Sequence, residues 1–248
     1  GFGMPMAREW RAMGLDHLQW RVDEVEIGSV RRGEGVATVR FRLAPPSFNR
    51  AYRGTLTTRM CPGGILHVAL TMRPEGEWPK MLPRVGVQLR LPKSLEHVRW
   101  FGLGPGESYP DSCQAGRLGL FDRTVDELYT PYVYPQENGN RMGVRWVALM
   151  DAQGRGFLVR GQPQLNFSAH WYTPEDFDRA THACELVKRD FVTLNLDHRQ
   201  NGLGSASCGP GPLEMYWLKP EPFAFSFVFA PLFAGETPPA EWGRILAP

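Results

Sequence analysis

The chain has little cysteine, no long apolar run and no cluster of charge of either sign. Its four cysteines, Cys61, Cys113, Cys184 and Cys208, are far apart and form no C-x-x-C pair, which speaks against a zinc ribbon or a dithiol redox pair. Free thiols are expected. Two disulfides are the alternative, although a domain of this size does not need such staples. No apolar run approaches the roughly 18 residues of a membrane-spanning helix, and the start, GFGMPMAREW, lacks the apolar core of a signal peptide. No membrane partner is expected, and the default location is cytoplasmic unless a trimmed N-terminus hides an export signal. The 28 basic and 26 acidic residues leave a net charge of +2 and are interspersed, with no Lys/Arg block longer than a pair. A nucleic-acid binder would concentrate basic residues on one face, so no such partner is expected. No two histidines stand at i, i+4 on a helix or i, i+2 on a strand, so no metal site is indicated. No cofactor is expected either.

What is present is a period of two. Hydrophobic residues at 42% and charged residues at 22% mark a folded chain, and 248 residues can bury a substantial core. One domain over 1–248 is expected. Leu18, Trp20 and Val22 alternate with Gln19 and Arg21, and the phase then shifts to Val25 and Ile27, which predicts a bulge between them. Val39, Phe41 and Leu43 alternate with Arg40 and Arg42. Residues 55–72 read as a hairpin about Cys61-Pro62-Gly63-Gly64, with His67 on its polar face. Further strands are expected between Pro83 and Pro92, at HVRWF, at GVRWVALMD, at GFLVRG, over 186–197 and at the Phe-rich run 223–230. Val144, Trp146 and Ala148 should share a face. Two short helices are expected, MPMAREWRAM closed by Gly14, and about 174–182 after the start signal Thr173-Pro174-Glu175-Asp176. The class is therefore all-β, a large sandwich of antiparallel sheets with one or two short helices.

Two stretches stand apart, Trp100–Arg141 and Asp197–Pro210, both dense in Gly and Pro or Asn, and the first dense in aromatics. Long aromatic loops on a rigid scaffold often carry a site. Glu107, Asp111 and Glu137 could supply the two acids that glycoside hydrolysis sets roughly 5–9 Å apart. Their context favours structural roles, because Gly102, Gly104, Pro105 and Gly106 demand turns, Asp111 follows Pro110 where it can accept backbone N–H bonds, and Asn138-Gly139 is a turn pair. GLGPGES lacks the Lys of a phosphate loop and opens no helix. His170, His182 and His198 could act as acid or base, but His182 at the end of the short helix is accounted for by complementing the carbonyl end. Tyr129, Tyr132, Tyr134, Trp171 and Tyr172 suit either a platform for sugar rings or a covered interface, and the interface is favoured.

WFGLGPGESYPD and YTPYVYPQENGNR resemble the signature segments of the C-terminal domain of large bacterial β-galactosidases, also called the small chain. LNFSAHWYTPEDFDRATH, LNLDHRQNGLGSASCGP and the Phe-rich last strand follow in the family's order. The resemblance implies a supersandwich related to galactose mutarotases, set after a catalytic (β/α)8 barrel or forming a separate subunit. Its partners would be that barrel portion or large subunit, and a galactoside at a shared pocket, in an enzyme that is oligomeric as a whole. The acid/base and nucleophile glutamates of the family belong to the barrel, which takes about 250 residues of alternating strand and helix and is not matched here. The resemblance places substrate contact at the loop matching Asn201–Pro210, with Asn201, Ser207 and Cys208 as candidates. Cys208 stands where many members have a Trp that stacks on sugar, so it would at best border the pocket. Gly1-Phe2-Gly3 resembles the middle of a family segment, which suggests a start inside the domain.

The function expected is a non-catalytic domain or small subunit of a β-galactosidase. A stand-alone aldose 1-epimerase and a carbohydrate-binding module are the alternatives, resting on the histidines and the aromatic loops respectively.

Overall fold

The computed structural model describes residues 6–28, 33–204 and 209–234. Among them are eleven strands and three α-helices of seven, four and six residues. The protein is all-β, and the strand pairs whose register is defined are antiparallel. The chain divides into two compact units, Gly1–Val85 with Arg199–Val228, and Gly86–His198 with Phe229–Pro248.

In the first unit, helix α1 (Met6–Ala12) is followed by a meander of β1 (Gln19–Ile27), β2 (Gly35–Ala44), β3 (Ala51–Cys61) and β4 (Ile65–Glu75). The expected hairpin is β3–β4, with a 3-10 turn at Pro62–Gly64. The expected bulge is also present, as a register shift between Val22 and Glu24. It returns Val25 and Ile27 to the face of Trp20 and Val22, opposite Val39 and Ala37 of β2. That face is apolar across the meander. Phe41 is buried where Gly54 leaves room for it, since a Cβ on Gly54 would lie 2.2 Å from the Phe41 ring and 2.5 Å from the Met72 sulfur. The other face is charged: Arg40 bonds Glu24 and Glu26, and Arg53 bonds Glu75 at 2.7 Å. Such exposed pairs contribute little to stability because solvent screens them.

The second unit is built on β5 (Arg84–Pro92), β6 (His97–Gly104), β7 (Arg117–Thr124), β8 (Arg141–Met150), β9 (Gly156–His170) and β10 (Phe191–Gln200), with β5 and β10 reaching into the first unit by their ends. β6 lies between β7 and β8, β8 pairs with β9, β9 with β10, and β10 with β5. β8 is buried on both sides: Trp146, Ala148 and Met150 pack with Leu158 and Leu232, while Val147 and Leu149 pair across to Trp100 and Val98. The Phe-rich β11 (Phe223–Leu232) gives residues 223–228 to the first unit and 229–232 to the second.

Four local expectations change. β7 lies inside the stretch read as loop, and its Leu118 and Leu120 alternate with Gly119 and Phe121. β10 begins at Phe191 rather than 186. A third helix, α2 (Val125–Leu128), is a single turn closed by a capping box, in which Glu127 accepts the Thr124 N–H at 2.7 Å. Helix α3 (Pro174–Arg179) ends three residues earlier than expected, because a second capped turn, Ala183–Glu185, takes over the chain.

Candidate functional site

The stretch Trp100–Arg141 folds back onto its own backbone within the second unit. β6 delivers Trp100 to full burial, where its indole N–H meets the Leu103 carbonyl at 3.0 Å and its ring lies against Phe121 and Phe167. Past Gly104 the chain turns to present Glu107, Ser108 and Tyr109 to the segment 137–142. Glu107 accepts the Tyr132 hydroxyl and the Gly139 N–H, the latter at 2.7 Å. Tyr109 donates to Glu137 at 3.1 Å. The Ser108 N–H donates to the Asn140 carbonyl at 2.7 Å, reinforced by the Asn140 side-chain amide on the Ser108 carbonyl and the Met142 N–H on the Ser108 hydroxyl.

Arg141 closes this knot from inside. Its guanidinium donates to the carbonyls of Leu128, Gly139 and Pro105 and lies 5.6 Å from the centre of the Trp100 ring. Burial lowers its pKa to about 10, against the opposing pull of Glu107, so it stays charged at neutral pH. Burial likewise lifts the Tyr132 phenol to about 12, helped by its bond to Glu107, and holds Tyr109 well above the ordinary range, helped by Glu137 and Glu107. Both tyrosines are donors held in the neutral form. Each glutamate thus already has a phenol as partner, so neither is a bare nucleophile.

Behind the knot, strands β9 and β10 carry a buried polar row. Leu165, Phe167 and Ala169 alternate with Asn166, Ser168 and His170, and Leu194 and Leu196 alternate with Thr193, Asn195 and Asp197; all are buried. The register sets His170 opposite Thr193, Ser168 opposite Asn195 and Asn166 opposite Asp197. Asn195 donates to the Ser168 hydroxyl at 3.0 Å and accepts from Gln88 of β5 at 3.0 Å. This polar sheet face is a covered layer, with Asn195 joined by hydrogen bonds to Ser168 and Gln88.

The three histidines occupy three different settings. His170 lies 3.0 Å from the Asn138 carbonyl through Nε2, which therefore carries the proton, and stands edge-on to Phe177. His182 does not close α3 as expected; it caps the following turn and meets Glu185 at 3.1 Å. Glu185 is held down near 2, chiefly by the Thr181 N–H and then by His182. His198 is half-buried near the end of β10. Among the described residues no group of three His, Cys, Asp or Glu is placed to hold a metal. Cys61, Cys113 and Cys184 are free thiols.

Of the five aromatic residues considered for a platform, Tyr129 and Tyr172 pack around Phe177 and Trp171 is buried. Tyr132 is tied to Glu107, and Tyr134 is the one that faces solvent.

Of the candidate substrate residues, Asn201 is buried in the first unit. Its amide donates to the Gly202 carbonyl at 2.9 Å and accepts the Leu218 N–H at 2.8 Å, while its own N–H reaches the Pro83 carbonyl at 3.0 Å. Ser207 and Cys208 lie outside the described residues.

Fold and polar network together define an all-β protein in which Glu107 and Glu137 are each engaged by a tyrosine hydroxyl. The family model for the beta galactosidase small chain matches residues 3–229, and the chain belongs to that family. It is 33% identical over 226 residues to a beta-galactosidase of Kluyveromyces lactis and 32% identical over 229 residues to one of an Arthrobacter species. Those matches take in 90% and 89% of this chain but only 22% of each relative, so the chain spans about a fifth of their length. Among solved structures, an α-galactosidase of Geobacillus stearothermophilus aligns over 88% of this chain and 28% of its own at 11% identity, with a TM-score of 0.41. No helix among the described residues is long and apolar enough to cross a membrane.

Proposed function

We propose that this chain is a non-catalytic domain or small subunit of a β-galactosidase, serving an enzyme that hydrolyses terminal β-galactosides with catalytic carboxylates on a separate barrel portion. The observation that carries this reading is the match that takes in nine-tenths of the chain and a fifth of the relatives. The paired phenols on Glu107 and Glu137 agree with it, since a hydrolase needs one carboxyl free to attack or to activate water. The residues we propose for contact with the galactoside are Asn201, Ser207 and Cys208.

The test combines the purified chain with the remaining β-galactosidase polypeptide and follows hydrolysis of a nitrophenyl β-galactoside. The chain alone gives no turnover and restores it when added to the larger piece. Failure to bind or to restore activity removes the reading. Within the restored enzyme, Cys208→Trp lowers KM with little change in kcat; an unchanged KM would take Cys208 away from the pocket.

A further inference from the structure

The apolar face of the first unit's meander does not stop where the chain's own cover stops. On the inner strand β4, Val68, Leu70 and Met72 are only 7–8% exposed. Following the register outward through β3 and β2, the same face ends on β1 with Trp20, Val22, Val25 and Ile27. These are 51%, 48%, 56% and 76% exposed. Four large apolar side chains along one strand form a row rather than the scattered single exposures normal on a surface.

Three further features show that the row is specified by the sequence. The bulge between Val22 and Glu24 resets the alternation so that all four residues fall on one side; without it, Val25 and Ile27 would join the charged face. The opposite face of β1 carries the charges, with Arg40 bonded to both Glu24 and Glu26. Trp20 lies flat on Phe41, ring centres 3.7 Å apart and planes 13° apart, which leaves its outer face open to a second layer. β1 also stands at the end of the strand order and pairs only with β2, so no other described strand covers its outer backbone edge.

We propose that this face and edge of β1 dock the remaining polypeptide of the β-galactosidase, which lays an apolar layer over Trp20, Val22, Val25 and Ile27 and completes the first unit's core. The inference rests on the function proposed above, and the occupant follows from length, because 78% of each relative lies outside the matched part. A second copy of this chain is the competing occupant, which the test below separates.

The test measures binding of the full chain to the larger β-galactosidase polypeptide by calorimetry, together with restored activity. Val25→Asp combined with Ile27→Asp should weaken binding about a hundredfold, as expected when two central apolar contacts are lost. His67→Gln, on the polar face of β4, should leave binding unchanged. If the double variant binds as tightly as the unchanged chain, the docking inference fails while the proposed function stands. If the unchanged chain does not bind at all, both fail. If it forms a dimer that the double variant abolishes, the face belongs to a second copy and the inference is overturned. Should the double variant misfold, hydrogen exchange on the unchanged chain decides: slowed β1 amides in the complex support docking, and unchanged rates overturn it.

Discussion

The fully buried Tyr109 hydroxyl donates to Glu137 at 3.1 Å and takes the Asn140 N–H at 3.4 Å, so one phenol oxygen joins the start of the aromatic stretch to its end. Removing it in Tyr109→Phe leaves the Glu137 carboxylate without its buried donor. Loss of a hydrogen bond to a charged group costs about 1.5–3 kcal/mol. Urea unfolding should show that decrease with an unchanged m-value.

Alkaline pH acts on the same knot. The Tyr132 phenol is pushed up to about 12 in the folded protein, through burial first and its bond to Glu107 second, and burial likewise holds Tyr109 well above the ordinary range. An unfolded tyrosine titrates near 10. Below about pH 10 both states keep the proton and the full contribution is present; as pH rises from 10 towards 12 the unfolded chain ionises first, so stability falls. Urea midpoints measured over this range should decline, and less steeply in Tyr132→Phe.

Gly139 has φ +76°, and a Cβ there would lie 2.7 Å from the His170 ring. Gly139→Ala therefore meets both a left-handed backbone, at about 1–2 kcal/mol, and a clash inside a packed layer, at about 1–3 kcal/mol. A drop of roughly 2–5 kcal/mol in unfolding free energy is expected. A drop below about 0.5 kcal/mol would mean that the turn relaxes freely.

Arg141→Met removes the donors that hold three carbonyls, those of Leu128, Gly139 and Pro105. Leaving buried carbonyls unmet should cost about 3–5 kcal/mol. Arg141→Lys recovers only part of this, because an ammonium cannot span the fork geometry. Thermal melting of the two variants should rank them in that order.

Asp176 serves the start of α3 twice, accepting the Thr173 N–H at 2.9 Å and the Arg189 guanidinium at 2.9 Å. Asp176→Ala should destabilise by about 1–2 kcal/mol, the ordinary cost of a lost cap. Asp176→Asn, which keeps an acceptor but weakens the ion pair, should cost less than half of that. Chemical denaturation of both variants separates cap from charge.

The period of two, the β1 bulge, the hairpin at Pro62–Gly64 and the capped start at Thr173 were all legible in the chain, because each depends on neighbours a few residues apart. α2 carried its own signal, Thr124 three residues before Glu127, but a single turn within a Gly- and Pro-rich stretch has no hydrophobic period to announce it. Strand β7 was hidden for a related reason: its alternation spans only Leu118 to Phe121 amid turn residues.

The candidate site divides in the same way. Local residues foretold that Asn138-Gly139 turns, whereas the partners of Glu107 and Glu137, 25 and 28 residues away at Tyr132 and Tyr109, are set by how the loops close. The alternation of LNFSAH and VTLNLD fixed by itself that Asn166, Ser168, His170, Thr193, Asn195 and Asp197 share one side of two strands. Whether that side meets water or a covering layer depends on what packs over it, and only the tertiary structure placed it inside. Conversely, the sequence set Trp20, Val22, Val25 and Ile27 on one apolar face, and the tertiary structure left them uncovered. Backbone geometry imposes the period of two locally, but burial is a property of distant segments meeting, and no local pattern encodes it.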